Sequence, residues 1–359
     1  MVRVGIVGFG FAARTFHAPL IGVVEGMEVV AVASSDAAKV HADLPGVAVE
    51  CGPAALIARD DLDLIVIASP NDTHAPIAAA ALAAGKHVVV DKPFTVTLDE
   101  ARGLIAQAET AGRVLSVFHN RRWDSDFLSV AKAIRAGQVG EVAQFESHFD
   151  RFRPEVRDRW RERAVPGGGI WFDLGPHLVD QALCLFGLPD WVQGDIAIQR
   201  VGGQADDWAH VVLGYGAMRV VLHASVLVAG GTARFTVHGQ RGSLVKARID
   251  QQEAQLLAGV VPGSEGWGVD DDALTVFDGA GERRVAAERG DQRRYYAAIR
   301  DAIRGDAANP VPGIEALAVM AVIDAAQRSS ERGARAELAL SDAERLAYGV
   351  SRSSVYPTR

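Results

Sequence analysis

Cysteine is nearly absent: the 359 residues contain two, Cys51 and Cys184. That excludes a disulfide framework and a thiolate-rich metal centre. Set among apolar neighbours, both thiols read as small core residues of a reducing compartment. No run is long and apolar enough to span a bilayer. Met1 leads at once into a strand-like segment, without the charged start and apolar core of a secretory signal. A cytoplasmic protein with no membrane partner is the expectation. Positive charge is also short, with 37 Lys and Arg against 45 Asp and Glu and a net charge of −8, so no basic field exists for nucleic acid. Internal repeats and low-complexity tracts are missing too. What is present is a 49% hydrophobic fraction, ample for globular cores, in a chain too long for one of them. Two domains are expected, 1–120 and 121–359.

The first third alternates strand and helix signals. Residues 2–7, 27–33, 62–68, 87–90 and 114–118 are short, apolar and rich in β-branched side chains. Between them, 75–84 is alanine-rich and stops at Gly85, while Thr97-Leu98-Asp99-Glu100 has the capping-box pattern and opens a helix to about residue 111. Continuous apolar strands separated by helices indicate a parallel sheet covered on both faces. Beyond residue 119 the pattern changes. A helix is expected over 124–136 and another over 171–186, and residues 142–149 alternate strictly between two unlike faces. Further strands are expected near 191–200, 207–214, 218–228, 233–238 and 243–248 with hairpin-sized gaps. The fold class is therefore α/β, a parallel-sheet domain followed by an α+β domain with a large, mostly antiparallel, open-faced sheet. Val220, Leu222, Ala224 and Val226 are assigned to the open face, where a symmetric partner subunit is expected to pack in a homodimer or homotetramer. Residues 259–292 are expected as loops, 292–305 and 313–331 as helices, and the last dozen residues as loosely held.

Gly8-Phe9-Gly10-Phe11-Ala12-Ala13 follows the first strand and opens a helix. The first glycine serves a tight turn and the second lets a pyrophosphate approach the backbone. The third position needs only a small residue, and Ala13 meets that. Helix-start N–H groups then hold the phosphates. Pro19 falls within two turns, so this helix should be short or kinked. At the end of the second strand the usual acidic ribose ligand is replaced by Ser34 and Ser35, with Lys39 one helix turn on. Hydroxyl and ammonium donors suit a 2′-phosphate, which favours NADP and leaves NAD as the alternative. Asp36 reads as a helix cap.

Asp91-Lys92-Pro93 follows the strand at 87–90. Ligands of open α/β sheets sit beyond the carboxyl ends of the strands, so a lysine there is placed for chemistry, although a solvated strand-end lysine reads the same way. Gly167-Gly168-Gly169 leads into Asp173 and His177, four apart and on one helix face. A histidine can accept an alcohol proton near neutral pH and a carboxylate can orient it. The plain alternative is a helix-start aspartate with a core histidine. A metal site of His177, Asp173 and Asp180 lacks supporting spacing. Arg151 to Arg163, interleaved with Asp150, Glu155, Asp158 and Glu162, reads as an exposed paired charge run or as a partial lining for an acidic substrate.

In these residues the chain resembles the Gfo/Idh/MocA oxidoreductases, the glucose–fructose oxidoreductase and inositol dehydrogenase family. The glycine loop, Asp91-Lys92-Pro93 (more often Glu before Lys-Pro in the family) and the run to Asp173 and His177 carry the likeness, in matching order, over nearly the whole chain. Phe16-His17-Ala18-Pro19-Leu20, Asn71-Asp72-Thr73-His74 and His119-Asn120-Arg121-Arg122-Trp123-Asp124 resemble a narrower subgroup that includes NADP-dependent scyllo-inositol dehydrogenases. The resemblance implies a Rossmann domain, an oligomer, and a polyol, sugar or cyclitol substrate. It implies that Lys92, Asp173 and His177 face the nicotinamide, with His177 as acid/base, Asp173 as its partner and Lys92 as a cation on the substrate hydroxyl. Ser69, Pro70, Asn71 and His74 after one sheet strand, Asp91 and Pro93 around the lysine, and Asn120 after the last sheet strand are then candidates to border the cofactor; Asn71, His74 and Asn120 could equally be turn residues. A redox-assisted glycosidase or lyase, and a non-catalytic NADP-sensing regulator, are the competing functions.

Overall fold

Six short strands form a parallel sheet: β1 (Val2–Val7), β2 (Met27–Ala33), β3 (Ala48–Glu50), β4 (Leu64–Ile67), β5 (His87–Val90) and β6 (Leu115–Val117). Their spatial order is β3-β2-β1-β4-β5-β6. All four residues of β4 are fully buried, as are Val88, Val89 and Val90 of β5. That burial explains the unbroken apolar runs, because helices cover a parallel sheet on both sides. The helices are α1 (Ala18–Gly22), α2 (Ala37–Asp43), α3 (Pro53–Ile57), α4 (His74–Ala83) and α5 (Leu98–Ala111). Thr97 and Glu100 make the expected reciprocal capping box on α5. The expected short first helix is found too: Ala13–His17 form a π-helical turn, and α1 starts with Pro19 in its first turn. Strand order reverses between β1 and β4, which makes that point the topological switch of the sheet.

The computed structural model describes the backbone of residues 1–355 and the side chains of 1–352. The chain forms two units. The first comprises Met1–Asn120, Gln252–Trp267 and Asp291–Leu317; the second comprises Arg121–Gln251, Gly268–Gly290 and the chain from Ala318 on. Two segments expected in the second domain, 252–267 and 291–317, thus belong to the first unit. The reason is visible at β6, an edge strand. Ser116 bridges Pro312, the Val117 N–H donates to the Val311 carbonyl (3.2 Å), and the Tyr295 hydroxyl donates to Ser116 Oγ (2.9 Å). A returning segment covers an edge that would otherwise expose unpaired backbone groups.

In the second unit, β7 (Val142–Asp150), β8 (Trp191–Ala197), β9 (Trp208–Tyr215), β10 (Met218–Ser225), β11 (Phe235–Gly239), β12 (Gly242–Lys246), β13 (Leu274–Asp278) and β14 (Gly281–Val285) form one sheet. The order is β14-β13-β12-β11-β7-β10-β9-β8, and within it β7 and β10 pair in parallel while the other neighbours are antiparallel. Helices α6 (Ser125–Arg135) and α7 (Ile170–Phe186) belong to this unit, and α7 lies against β7, β9 and β10. Four expectations need correction here. Val220, Leu222 and Ala224 are fully buried on the α7 side, so the open face instead presents Glu146, His148, His210, Val221 and His223, and the apolar argument for a partner copy loses three of its four residues, the fourth, the half-buried Val226, lying beyond the end of β10. Period two identifies two faces but not which one is covered. Residues 259–292 include the hairpin β13–β14. The chain end is a helix, Asp342–Val355, anchored by the buried Tyr348 hydroxyl on the Leu183 carbonyl (3.1 Å); residues 356–359 of the segment expected to be loose lie outside the described residues. Cys51 is exposed beside the short edge strand β3, and only Cys184 is buried.

The entry to α7 is built around Asp206. Its carboxylate accepts the Trp171 N–H (2.7 Å), and its carbonyl accepts the Ile170 N–H (2.7 Å). Gly169 has φ +91°, and a Cβ there would stand 1.9 Å from the Asp206 carboxylate, so glycine is required. Burial pushes the Asp206 carboxyl up to about 6, against the pull of the Trp171 N–H. The folded state therefore holds this proton more tightly than the unfolded chain, and its contribution to stability falls as pH rises from about 4 through about 6. Asp206→Asn should gain stability relative to the parent across that window, on the order of 1–3 kcal/mol by pH 7. Urea denaturation at several pH values reads this directly; a pH-independent difference would mean that Asp206 titrates as an ordinary carboxyl.

Candidate active site

In the first unit the sequence-chosen residues collect at the carboxyl ends of the parallel strands. Gly8 leaves β1 with φ +85°, and a Cβ on it would stand 2.9 Å from the Ala68 carbonyl oxygen at the end of β4. Its N–H donates to the Ala33 carbonyl (3.0 Å) at the end of β2. The loop thereby ties three strand ends together. Gly10 differs: nothing lies within 4 Å of where its Cβ would be. An open approach to the backbone at the second glycine, with Ala12 and the buried Ala13 opening the π-helical turn, fits the space a pyrophosphate needs. Phe9 is buried and Phe11 exposed. The half-buried Ser34 and the exposed Ser35 follow the end of β2, and the Ser34 hydroxyl accepts the Asp36 N–H (3.1 Å). The Asp36 carboxylate accepts the Lys39 N–H (2.9 Å), so Asp36 caps α2 as expected.

The loops after β4 and β5 are clamped by His74, whose Nδ1 lies 2.9 Å from the Pro93 carbonyl and whose Nε2 lies 3.0 Å from the Ser69 carbonyl. Burial lowers its pKa, against the pull of the two carbonyls its nitrogens face. His74 thus holds the shape of the site. Pro70 is exposed, while Asn71 on the turn after β4 and Asn120 after β6 are buried. The Asp91 carboxylate accepts the Lys92 N–H (2.8 Å). Burial pushes Asp91 up, but His17, with help from Lys92 and His74, more than offsets it and holds the carboxyl down at about 2. The His17 contact, Nε2 to Oδ1, is 3.8 Å, too long for a hydrogen bond and therefore electrostatic. On its other side His17 Nδ1 meets the Tyr296 hydroxyl at 2.5 Å. Lys92 itself is half-buried. Sequence reasoning gave His17 and Tyr296 no role, and 279 positions separate them, so no local signal existed.

In the second unit Asp173 sits in the first turn of α7 and the buried His177 in the second. Asp173 lies 3.6 Å from Arg161 Nε and 3.9 Å from Arg151 Nη1. The arginine-rich stretch therefore divides. Arg163 pairs with Asp158 (2.5 Å) on the surface, whereas Arg151 and Arg161 converge on the candidate catalytic carboxylate. Asp180, considered as a metal ligand, is buried in a salt bridge with Arg122 (2.6 Å). Asp206 was also missed by the sequence reading, because its capping role spans 35 positions.

Comparison with known proteins identifies the family. Residues 2–119 match the family described as oxidoreductase family, NAD-binding Rossmann fold, and residues 131–338 match its C-terminal alpha/beta domain. The chain is 53% identical to the uncharacterized oxidoreductase YdgJ of Escherichia coli, covering 93% of this chain and 97% of that one. It is 34% identical to the scyllo-inositol 2-dehydrogenase (NADP(+)) IolW of Bacillus subtilis, over 92% and 94%. A crystal structure from Klebsiella pneumoniae superposes with a TM-score of 0.94 at 59% identity, over 98% and 100% of the two chains. No described helix is long and apolar enough to cross a membrane. The chain is an oxidoreductase and belongs to the Gfo/Idh/MocA family.

Proposed function

We propose that this protein is an NADP-dependent dehydrogenase or reductase acting on a hydroxyl or keto carbon of a polyol, sugar or cyclitol. The observation that carries the reading is the β1 loop, where Gly8 is forced against Ala68 and Gly10 is left open to a pyrophosphate. Ser34, Ser35 and Lys39 at the end of β2 favour the 2′-phosphorylated cofactor over NAD, and the likeness to an NADP-dependent scyllo-inositol dehydrogenase supports both halves of the proposal. Bound NADP supplies the two-electron acceptor for the carbon. In the oxidative direction His177 accepts the hydroxyl proton, and Asp173 orients and supports that charge. Lys92 donates a charge-assisted hydrogen bond to the oxygen as it becomes alkoxide-like. Asp91, ionised, fixes the backbone of Lys92. Arg151 and Arg161 beside Asp173 favour a second substrate class, an acidic or phosphorylated sugar, within the same chemistry. The exposed free thiol of Cys51 suits the cytoplasm.

His177→Ala should cut turnover about 10²–10⁴-fold while NADP binding stays nearly unchanged. Nicotinamide absorbance against a panel of inositols, aldoses and sugar acids, with binding measured by calorimetry, checks this, and near-parental activity would remove His177 from the role. Product formation without net absorbance change would point instead to transient oxidation in a glycosidase or lyase. For the cofactor, Ser34→Asp should shift the NADP-to-NAD preference toward NAD by about tenfold or more through repulsion of the 2′-phosphate. An unchanged ratio of Kd values would place Ser34 away from the ribose.

A further inference from the structure

Three histidines stand in one row across the open face of the large sheet. His223 on β10 is the register partner of His148 on β7 and of His210 on β9. Their chain neighbours Phe149, Leu222, Ala224, Ala209 and Val211 are buried on the α7 side, so the three rings project to the other face. Asp150, two residues beyond His148, joins them with its side chain only 2% exposed. We propose that His148, Asp150 and His223 form a binding site for a divalent transition metal ion, with zinc as the reference ion, separate from the oxidoreductase site.

His148 Nδ1 lies 3.4 Å from Asp150 Oδ2, His223 Nε2 lies 3.7 Å from Asp150 Oδ1, and one ligand atom from each residue falls within 4.8 Å of the others. A tetrahedral ion with bonds of about 2.0–2.1 Å separates its ligand atoms by roughly 3.3–3.4 Å. Both edges lie within a few tenths of an ångström of that spacing, one on each oxygen of the Asp150 carboxylate. The second observation is independent of spacing. His148 Nδ1 and Asp150 Oδ1 are both buried and neither has a hydrogen-bond partner, although the groups crowd together. A buried acceptor left unmatched is unfavourable, and a cation is the species that satisfies a converging nitrogen lone pair and carboxylate at once.

The surrounding shell is arranged as metal sites require. The outer nitrogen of His148, Nε2, lies 3.3 Å from Glu146 Oε2, and the outer nitrogen of His223, Nδ1, lies 3.4 Å from His210 Nδ1. Each outer nitrogen therefore has a neighbour that can take its proton, leaving the inner one as a neutral ligand. Thr232 donates its hydroxyl to Asp150, which fixes the carboxylate. Two imidazoles and one carboxylate suit zinc and also iron(II) or cobalt(II). Since β7 and β10 are the parallel pair of the sheet, an ion here would tie its centre together.

The test uses untagged full-length protein stripped with a chelator and titrated with Zn²⁺ by calorimetry, with thermal unfolding in parallel. One equivalent should bind and raise Tm, and EDTA should reverse the shift. Co²⁺ should quench part of the tryptophan fluorescence, because the Trp208 ring is 5.6 Å from the His223 ring. His223→Ala and Asp150→Asn should each weaken Zn²⁺ binding at least ~100-fold, and Glu146→Gln about 10–100-fold. His238→Ala, an exposed histidine outside the cluster, should leave it unchanged. Circular dichroism confirms that each variant is folded. Absence of a stoichiometric, EDTA-reversible site in the parent protein overturns the proposal, and so does equal binding by folded His223→Ala. Oxidoreductase activity plays no part in the readout.

Discussion

At Gly8 the chain leaves β1 in a left-handed conformation, and a methyl group there would collide with the Ala68 carbonyl at the end of β4. This close backbone approach occurs where the strand order reverses, and the arrangement of the first unit depends on it. With the β1 loop pressed against the β4 end and hydrogen-bonded to the β2 end, the turn that follows starts at a fixed height above the sheet. The opening over Gly10 is the space left by that packing. His74 then ties the β4 loop to Pro93, and Asp91 ties the backbone of Lys92 to its own side chain. Positions that look like separate motifs along the chain are in this way mechanically continuous.

The second unit solves a different problem, holding the candidate catalytic residue His177 on a helix whose interior includes Pro176. Proline removes one helical hydrogen bond and strains the turn before it, so the start of α7 needs external support. Asp206 provides it through two main-chain bonds, and Gly169 and Gly168 allow the chain to pass close to Asp206 and to the Arg163 carbonyl. Behind the helix, Arg234 is buried with Ser147, Gln181 and Asp126, and burial lowers its pKa to about 10. Nη1 and Nη2 donate to Ser147 and Gln181, while Nε faces the Asp126 carboxylate at 3.3 Å as an ion pair without an aligned hydrogen bond, so this group orders the packing between α7 and the sheet more than it adds stability.

Much of this was legible in the sequence wherever the cause is local. The capping box at Thr97, the Asp36 cap, the shortened helix at Pro19 and the alternation of β7 all depend on residues a few positions apart. The glycine loop, Lys92 and the Asp173/His177 spacing were likewise readable, because each is one turn or one strand end. What was not legible depends on distant contacts. The segments 252–267 and 291–317 carry ordinary helix signals that do not reveal which sheet they cover. Tyr296 gains meaning only from His17, and Asp206 only from Trp171. The error over Val220, Leu222 and Ala224 has the same origin. Their strand has apolar residues on both faces, and the decision between faces is made by α7.

That error also changes how the open face should be understood. An apolar face seeks another apolar surface, whereas this one presents imidazoles and carboxylates whose polar atoms are partly desolvated by their neighbours. Such groups are stable only when their lone pairs and protons are matched, by each other, by solvent or by a bound ion. His74 on the first sheet is matched by two carbonyls and serves as a clamp. His148 and Asp150 approach each other without an aligned hydrogen bond. His74 and the half-buried His148 thus differ in what faces the ring, main-chain carbonyls for one and carboxylates for the other. That difference separates a histidine that holds a fold from one left able to bind.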